Sequence, residues 1–211
     1  MTKRLVIIDR RVTDYQSFVD ALDKDTAWVL LNENQDGIQQ IVAAVSQYSN
    51  LKSLHIVSHG SVGTLYLGST ILNDANLFQY QHELQTIGAN LTAAGDVLLY
   101  GCNVGQGDVG QAFIQNLANY MHADVAASNN ITGFSGDWVL EVSTNFIESS
   151  TIQVNNYQGS LLAVTSGLGE AQSAVRQSDG KIVVVGYSAT HPFDFCVARY
   201  TVDGLLDQNF G

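Results

Sequence analysis

Through the first 160 residues, short apolar runs of strand composition alternate with segments whose apolar residues recur at helical spacing. RLVIID (4–9) reads as a strand and DYQSFVDAL (14–22) as a short amphipathic helix. AWVLLN (27–32) is a second strand. DGIQQIVAAVSQY (36–48) then sets Ile38, Ile41, Val42 and Val45 on one helical stripe, with Asp36 placed to cap it. SLHIVS (53–58) and DVLLYG (96–101) are further strands, separated by a hairpin over 63–73 and a helix over about 76–91. GQAFIQNLANYM (110–121) is a helix, DVAAS (124–128) a fifth strand, and WVLEVST (138–144) an antiparallel addition. Strand–helix–strand repetition requires crossovers, so the predicted fold is α/β, with a mostly parallel sheet and helices on both faces. Uninterrupted runs such as VLLY agree, because a strand buried on both faces has no polar alternation to show.

In such sheets ligands bind beyond the carboxyl ends of the strands. Two of these strands end on reactive side chains. LKSLHIVSHG (51–60) closes on His59 and Gly60, and GDVLLYGCNVG (95–105) carries Cys102 just past Gly101. Parallel pairing brings His59 and Cys102 to the same rim. A thiol that attacks a carbonyl needs a base to activate it and donors for the oxyanion. Cys102 supplies the sulfur and His59 the imidazole, while the backbone N–H groups of Gly60 and Cys102 are the candidate oxyanion donors. Gly101 and Gly105 are expected to let a substrate backbone approach closely. Taken singly, the cysteine reads as a small buried hydrophobe and the histidine as a polar loop residue. The shared rim favours the chemical reading.

Charge narrows the partners. The formal net charge is -11, and no Lys or Arg occurs from Ser53 to Val175, an interval holding nine acids. Nucleic acid and anionic membrane surfaces both need a basic face, so neither is an expected partner. The 2 cysteines are too few for a disulfide framework. No segment is long and apolar enough to span a bilayer, and the run LVII is too short for a signal peptide. No metal or cofactor is expected. NENQDGIQQI (32–41) begins like a calcium loop but presents Ala43 where a bidentate Glu is needed. GQGDVGQ (105–111) lacks the Lys-Ser/Thr of a phosphate loop, and His82, His122 and His191 have no ligand spacing. His55, inside the third strand, reads as a core or sheet-face residue.

The motifs LHIVSHGSVGTLYLG, GDVLLYGCNVGQGDVGQAF and GDWVLEVSTNFIE, in that order, resemble the caspase-like clan of cysteine peptidases. More narrowly they resemble a bacterial caspase-like domain found near the N-termini of large secreted repeat proteins. The resemblance covers roughly residues 4–150. It implies a three-layer caspase-like sandwich over 1–158, a His59–Cys102 dyad, a polypeptide substrate, and a secreted or cell-surface location. It also implies that the loop after the first strand, IIDRRV, helps form the pocket on the acyl side of the scissile bond. Asp9 is the candidate acid for a basic substrate residue, and Arg10 and Arg11 are the competing reading for an acidic one. The acidic interval favours Asp9. Ser58, Gly101 and Asn103 complete the expected groove. The expected function is a cysteine endopeptidase processing its own or neighbouring polypeptides after a basic residue. The alternative is a catalytically silent module serving adhesion or surface assembly.

Beyond about residue 167 the pattern changes to two β segments with a tight turn at Asp179 and Gly180, after a linker over 159–169. QSDGKIVVVGYS and FDFCVARYTVDGLLDQNFG resemble one copy of a delta-60-type repeat, spanning 170–211. A single repeat cannot bury both faces of its own sheet, so Val183, Val185, Phe195, Val197 and Tyr200 are expected to leave apolar surface. The chain is therefore expected to continue with further repeats, to dock this segment on the first domain, or to self-associate through it. Cys102 is the expected reactive thiol, its pKa lowered by His59, and Cys196 the inert one.

Overall fold

The computed structural model describes residues 4–24, 26–133, 136–154, 157–161, 168–188, 195–201, 207 and 210. The chain forms two compact units, Met1–Leu162 and Ala163–Gly211. The first unit runs β1 (Arg4–Asp9), α1 (Tyr15–Ala21), β2 (Ala27–Leu31), α2 (Gly37–Val45) and β3 (Leu51–Val57). It continues through β4 (Gly60–Ser61), β5 (Thr64–Leu67), β6 (Thr70–Asn73), a 3-10 turn (Leu77–Tyr80) and α3 (Gln81–Ala89). β7 (Leu91–Tyr100), α4 (Gly107–Met121), β8 (Asp124–Ala127) and β9 (Val142–Ser143) complete it. The main sheet has the order β2-β1-β3-β7-β8-β9, parallel except for β9, and β4-β5-β6 form a small antiparallel sheet. Asp36 caps α2 as its position predicts, accepting from the Gln39 N–H at 2.9 Å.

Alternate residues of the central strands enter two cores. Leu5, Ile7, Leu54, Ile56, Val97 and Leu99 pack with Ile38, Ile41, Leu84, Phe113 and Leu117 of α2, α3 and α4. Val6, Ile8, Val57, Leu98 and Tyr100 pack with Phe18 of α1 and with Ile152, Val154, Tyr157 and Leu161. Both faces are thus covered, as strands without polar alternation require. The second covering is one short helix plus chain without regular secondary structure, tied by edge-on contacts of Phe18 with Trp138 and Tyr157 at 5.3 and 4.8 Å between ring centres. Two elements differ from the sequence pattern. β7 starts at Leu91 rather than Asp96, and only Val142–Ser143 of the expected strand over 138–144 pairs with β8.

His55 lies wholly inside the second core, 3.1 Å from the Tyr100 hydroxyl through Nδ1 and 3.0 Å from Ser53 Oγ through Nε2. The Tyr100 oxygen already accepts from the Ile152 N–H at 2.7 Å, so its proton points to His55 Nδ1, and Nε2–H donates to Ser53. Burial, helped by the Arg4 charge, lowers the His55 pKa to about 3. The folded protein then binds fewer protons than the unfolded chain between about pH 6.5 and 3. Its contribution is complete above pH 6.5 and is lost as pH falls through that window. Stability is expected to drop by about 2 kcal/mol from pH 7 to pH 5 on this account alone. Denaturant unfolding at the two pH values checks it; an equal drop in His55→Gln would assign the loss to other groups.

The second unit is an antiparallel meander of β10 (Leu168–Arg176), β11 (Ile182–Ser188) and β12 (Phe195–Tyr200). Gly180 takes φ +86° in the turn where the sequence places it. One face buries Val184, Ala198 and Tyr200 with Ile182 and Cys196. Tyr200 is therefore inside, contrary to expectation, because it falls on the same face as Ala198. The opposite face leaves Val175, Tyr187, Phe195 and Val197 exposed. Asp207 Oδ2 accepts from Lys181 Nζ and Arg199 Nε, each at 2.9 Å.

Candidate active site

Val57 of β3 and Tyr100 of β7 are register partners, so the two strands end level with each other. Ser58–His59–Gly60 and Gly101–Cys102–Asn103 leave that edge side by side. Gly60 and Gly101 are what allow it. A Cβ on Gly60 would lie 2.9 Å from Gly101 Cα and 2.6 Å from Val104 Cγ2. The space at Gly101 is thus filled by Gly60 and Val104 rather than left open for substrate. Gly105 is likewise closed by Val142 and Ala127.

His59 Nε2 lies 3.1 Å from the Arg11 carbonyl oxygen. A carbonyl only accepts, so Nε2 carries a proton, and in the uncharged tautomer the lone pair lies on Nδ1. That Nδ1 is buried, with no hydrogen-bond partner among the described residues. The Arg11 carbonyl is itself held in place. The Arg11 guanidinium forks onto Asp9 with Nε–Oδ1 2.9 Å and Nη2–Oδ2 3.1 Å, and the Arg11 N–H also donates to Oδ1 at 2.9 Å. The Gly68 N–H takes Oδ2 at 2.6 Å. Asp9 is 0% exposed. Sequence reading placed it in a substrate pocket; the structure has it bracing the loop that orients His59. Arg10 is exposed. Ser58, fully buried, donates to the His59 carbonyl at 3.0 Å. Asn103, buried at φ +61°, donates its N–H to Asn130 O at 2.8 Å and shapes the turn after Cys102.

Cys102 is also 0% exposed. Its Sγ accepts from the Thr132 N–H at 3.1 Å and lies 3.7 Å from Ser160 Oγ. Burial pushes the thiol up to about 11, against the pull of Thr132, Ser160 and Leu161 donors. The expected lowering is therefore reversed at rest. Among the described residues no hydrogen bond joins His59 to Cys102, and removal of sulfur from water favours the neutral form. Cys196, expected to be the inert thiol, is the less buried of the two.

The two backbone donors singled out from the sequence converge. The N–H groups of Gly60 and Cys102 both point at the Leu161 carbonyl oxygen, at 2.9 and 3.4 Å. Leu161 donates its own N–H to Thr132 O at 3.0 Å, and Ser160 bridges Gly133 in antiparallel fashion. Residues 160–161, expected to be linker, therefore lie against Cys102, with Ser160 joined to Gly133 by an isolated bridge. Gly133 permits the approach: it sits at φ +114°, and a Cβ there would meet Gly159 O at 2.5 Å. The apolar Leu161 was the only sequence signal for this seat.

A different group of acids meets elsewhere. One carboxylate oxygen from each of Asp96, Asp124 and Glu148 lies within 4.8 Å of the others, close enough to share a cation. Asp96 and Asp124 are register partners at the start of β8, away from the rim that bears Cys102. Their separation along the chain hid the cluster from sequence reading.

A family model described as a domain of unknown function, DUF4347, matches residues 5–161. A second, a domain of unknown function described as a β-propeller, DUF5122, matches residues 177–210. No curated protein matches the chain. Among solved structures it is similar to one described as a small-chain dehydrogenase, at 8% identity and a TM-score of 0.30, over 56% of this chain and 77% of that one. A likeness that loose carries no argument. The first family model accounts for well over half of the chain and for every residue of the rim: the protein belongs to the DUF4347 family.

Proposed function

We propose that the first unit is a cysteine peptidase of the caspase-like type, with Cys102 as nucleophile and Nδ1 of His59 as general base. The observation that carries this reading is the convergence of the Gly60 and Cys102 N–H groups on one carbonyl oxygen. An oxyanion hole needs that arrangement, and the donors flank the two reactive side chains. In the reaction Sγ turns from Thr132 toward Nδ1 by rotation about its side-chain bond and gives up its proton as it attacks. The Arg11 carbonyl stabilises the imidazolium through Nε2–H. His59 then protonates the leaving amine, and a water that it deprotonates hydrolyses the thioester. With both Asp9 oxygens taken, preference for a basic residue finds no support in the groove.

The second reading, a catalytically silent module, is favoured by the full burial of Cys102 and its raised pKa. A peptide-based thiol-directed probe separates the two. Labelling at Cys102 is expected to vanish in Cys102→Ala and to slow about 100-fold in His59→Ala, the lower range for loss of a general base. Iodoacetamide, which has no affinity for the groove, is expected to mark Cys196 before Cys102. Labelling of Cys102 that ignores His59 would establish the silent module instead.

A further inference from the structure

On the peptidase reading above, we infer that the chain is its own substrate and that the bond cleaved is Leu161–Leu162. The groove over Cys102 is filled by the chain itself in the manner of a bound peptide. Leu161 donates to Thr132 O, Ser160 pairs with Gly133, and the Leu161 carbonyl oxygen receives both Gly60 and Cys102 N–H groups. Strand addition of this kind supplies affinity through the main chain and leaves selectivity to the side chains. The Leu161 side chain is 0% exposed and packs in the core that holds Val12, Val57 and Tyr157. The subsite on the acyl side is therefore apolar, and it takes leucine.

A carbonyl held by both oxyanion donors is the one that a thiolate on Cys102 attacks. The Cys102 sulfur bonds to the Leu161 carbonyl carbon, and the oxyanion stays on the two N–H groups. The bond to the Leu162 nitrogen then breaks, with the proton from His59 going to the new amine. Water, losing a proton to His59, opens the thioester and leaves a carboxylate on Leu161. No other reactant is needed. Because attacker and target belong to one folded chain, the step is unimolecular. Its result is to sever residues 1–161 from the β unit that follows.

The test is incubation of the purified 211-residue protein, read by intact mass and by N-terminal sequencing of the released piece. A fragment beginning LAVTSGLGE is expected, formed at a rate that does not change on dilution and absent in Cys102→Ala. Leu162→Pro is expected to slow its release at least about 100-fold, the leaving nitrogen having no N–H and a ring beside it. The same change restricts Leu161 to extended backbone. Probe labelling of Cys102 is expected to fall in that variant, because the uncleaved segment stays on the Gly60 and Cys102 donors that the probe must reach. A chain that stays intact, or is cut at another bond, while Cys102 reacts with the probe in a His59-dependent way overturns this inference and leaves the peptidase reading standing. An intact chain whose Cys102 ignores the probe overturns both.

Discussion

Gly60→Ala is expected to cut Cys102-dependent turnover at least 100-fold, the lower end of the range for loss of one oxyanion donor, about 3 kcal/mol of barrier. The cause is steric and local. A methyl at Gly60 would sit 2.6 Å from Val104 Cγ2, 2.9 Å from Gly101 Cα and 3.0 Å from Cys102 O. Two of those neighbours are backbone of the very turn that carries the sulfur, so neither can swing aside. The Gly60 N–H, now 2.9 Å from the Leu161 oxygen, would have to move off its target. His59 and Cys102 would keep their side chains, which separates this variant from loss of the dyad. The check is release of the Leu162 fragment, with probe turnover and a melting curve alongside. A folded Gly60→Ala protein with undiminished turnover would remove the oxyanion role from this N–H.

Several of these features were legible in the sequence, for physical reasons. Runs such as RLVII and VLLY announce a parallel sheet because both of their faces are buried, and two such runs ended on His59 and Cys102. The start of β7 was hidden because TAAG has neither strand propensity nor alternation, although it extends that strand. Much of the second covering of the sheet is chain without regular structure or periodicity, so nothing in it marked Ile152, Val154 or Tyr157 as core. Asp9 shows a limit of another kind. An acid in a loop beside the site looks the same in sequence whether it meets a ligand or, as here, an arginine two residues away. Residues 159–161 read as linker from their Gly-Ser composition, and only pairing with Thr132 and Gly133, far away in sequence, shows what they cover.

Helix propensity alone makes Gly88→Ala stabilising by about 1 kcal/mol, since glycine inside a helix costs backbone entropy. The structure reverses the sign. Gly88, in the last turn of α3, faces the end of α4 so closely that a Cβ would stand 1.7 Å from Met121 O and 2.6 Å from Met121 C. That neighbour is backbone at the helix terminus, followed by His122 at φ +52°, and it has no rotamer with which to yield. The two helices must separate, opening the contacts of Leu84 and Ile87 with the core that also holds Leu117 and Met121. Overpacking of well-filled interiors costs about 1–3 kcal/mol. A contact with rigid main chain belongs at the top of that range, so a net loss of about 2 kcal/mol is expected after the propensity gain. Urea unfolding reads it as a lowered midpoint at constant slope. Because α4 begins just beyond the Cys102 turn but meets Gly88 at its far end, the folded fraction of Gly88→Ala should still take the peptide probe at Cys102 in a His59-dependent way. An unchanged or raised midpoint would mean that α3 and α4 do not approach this closely.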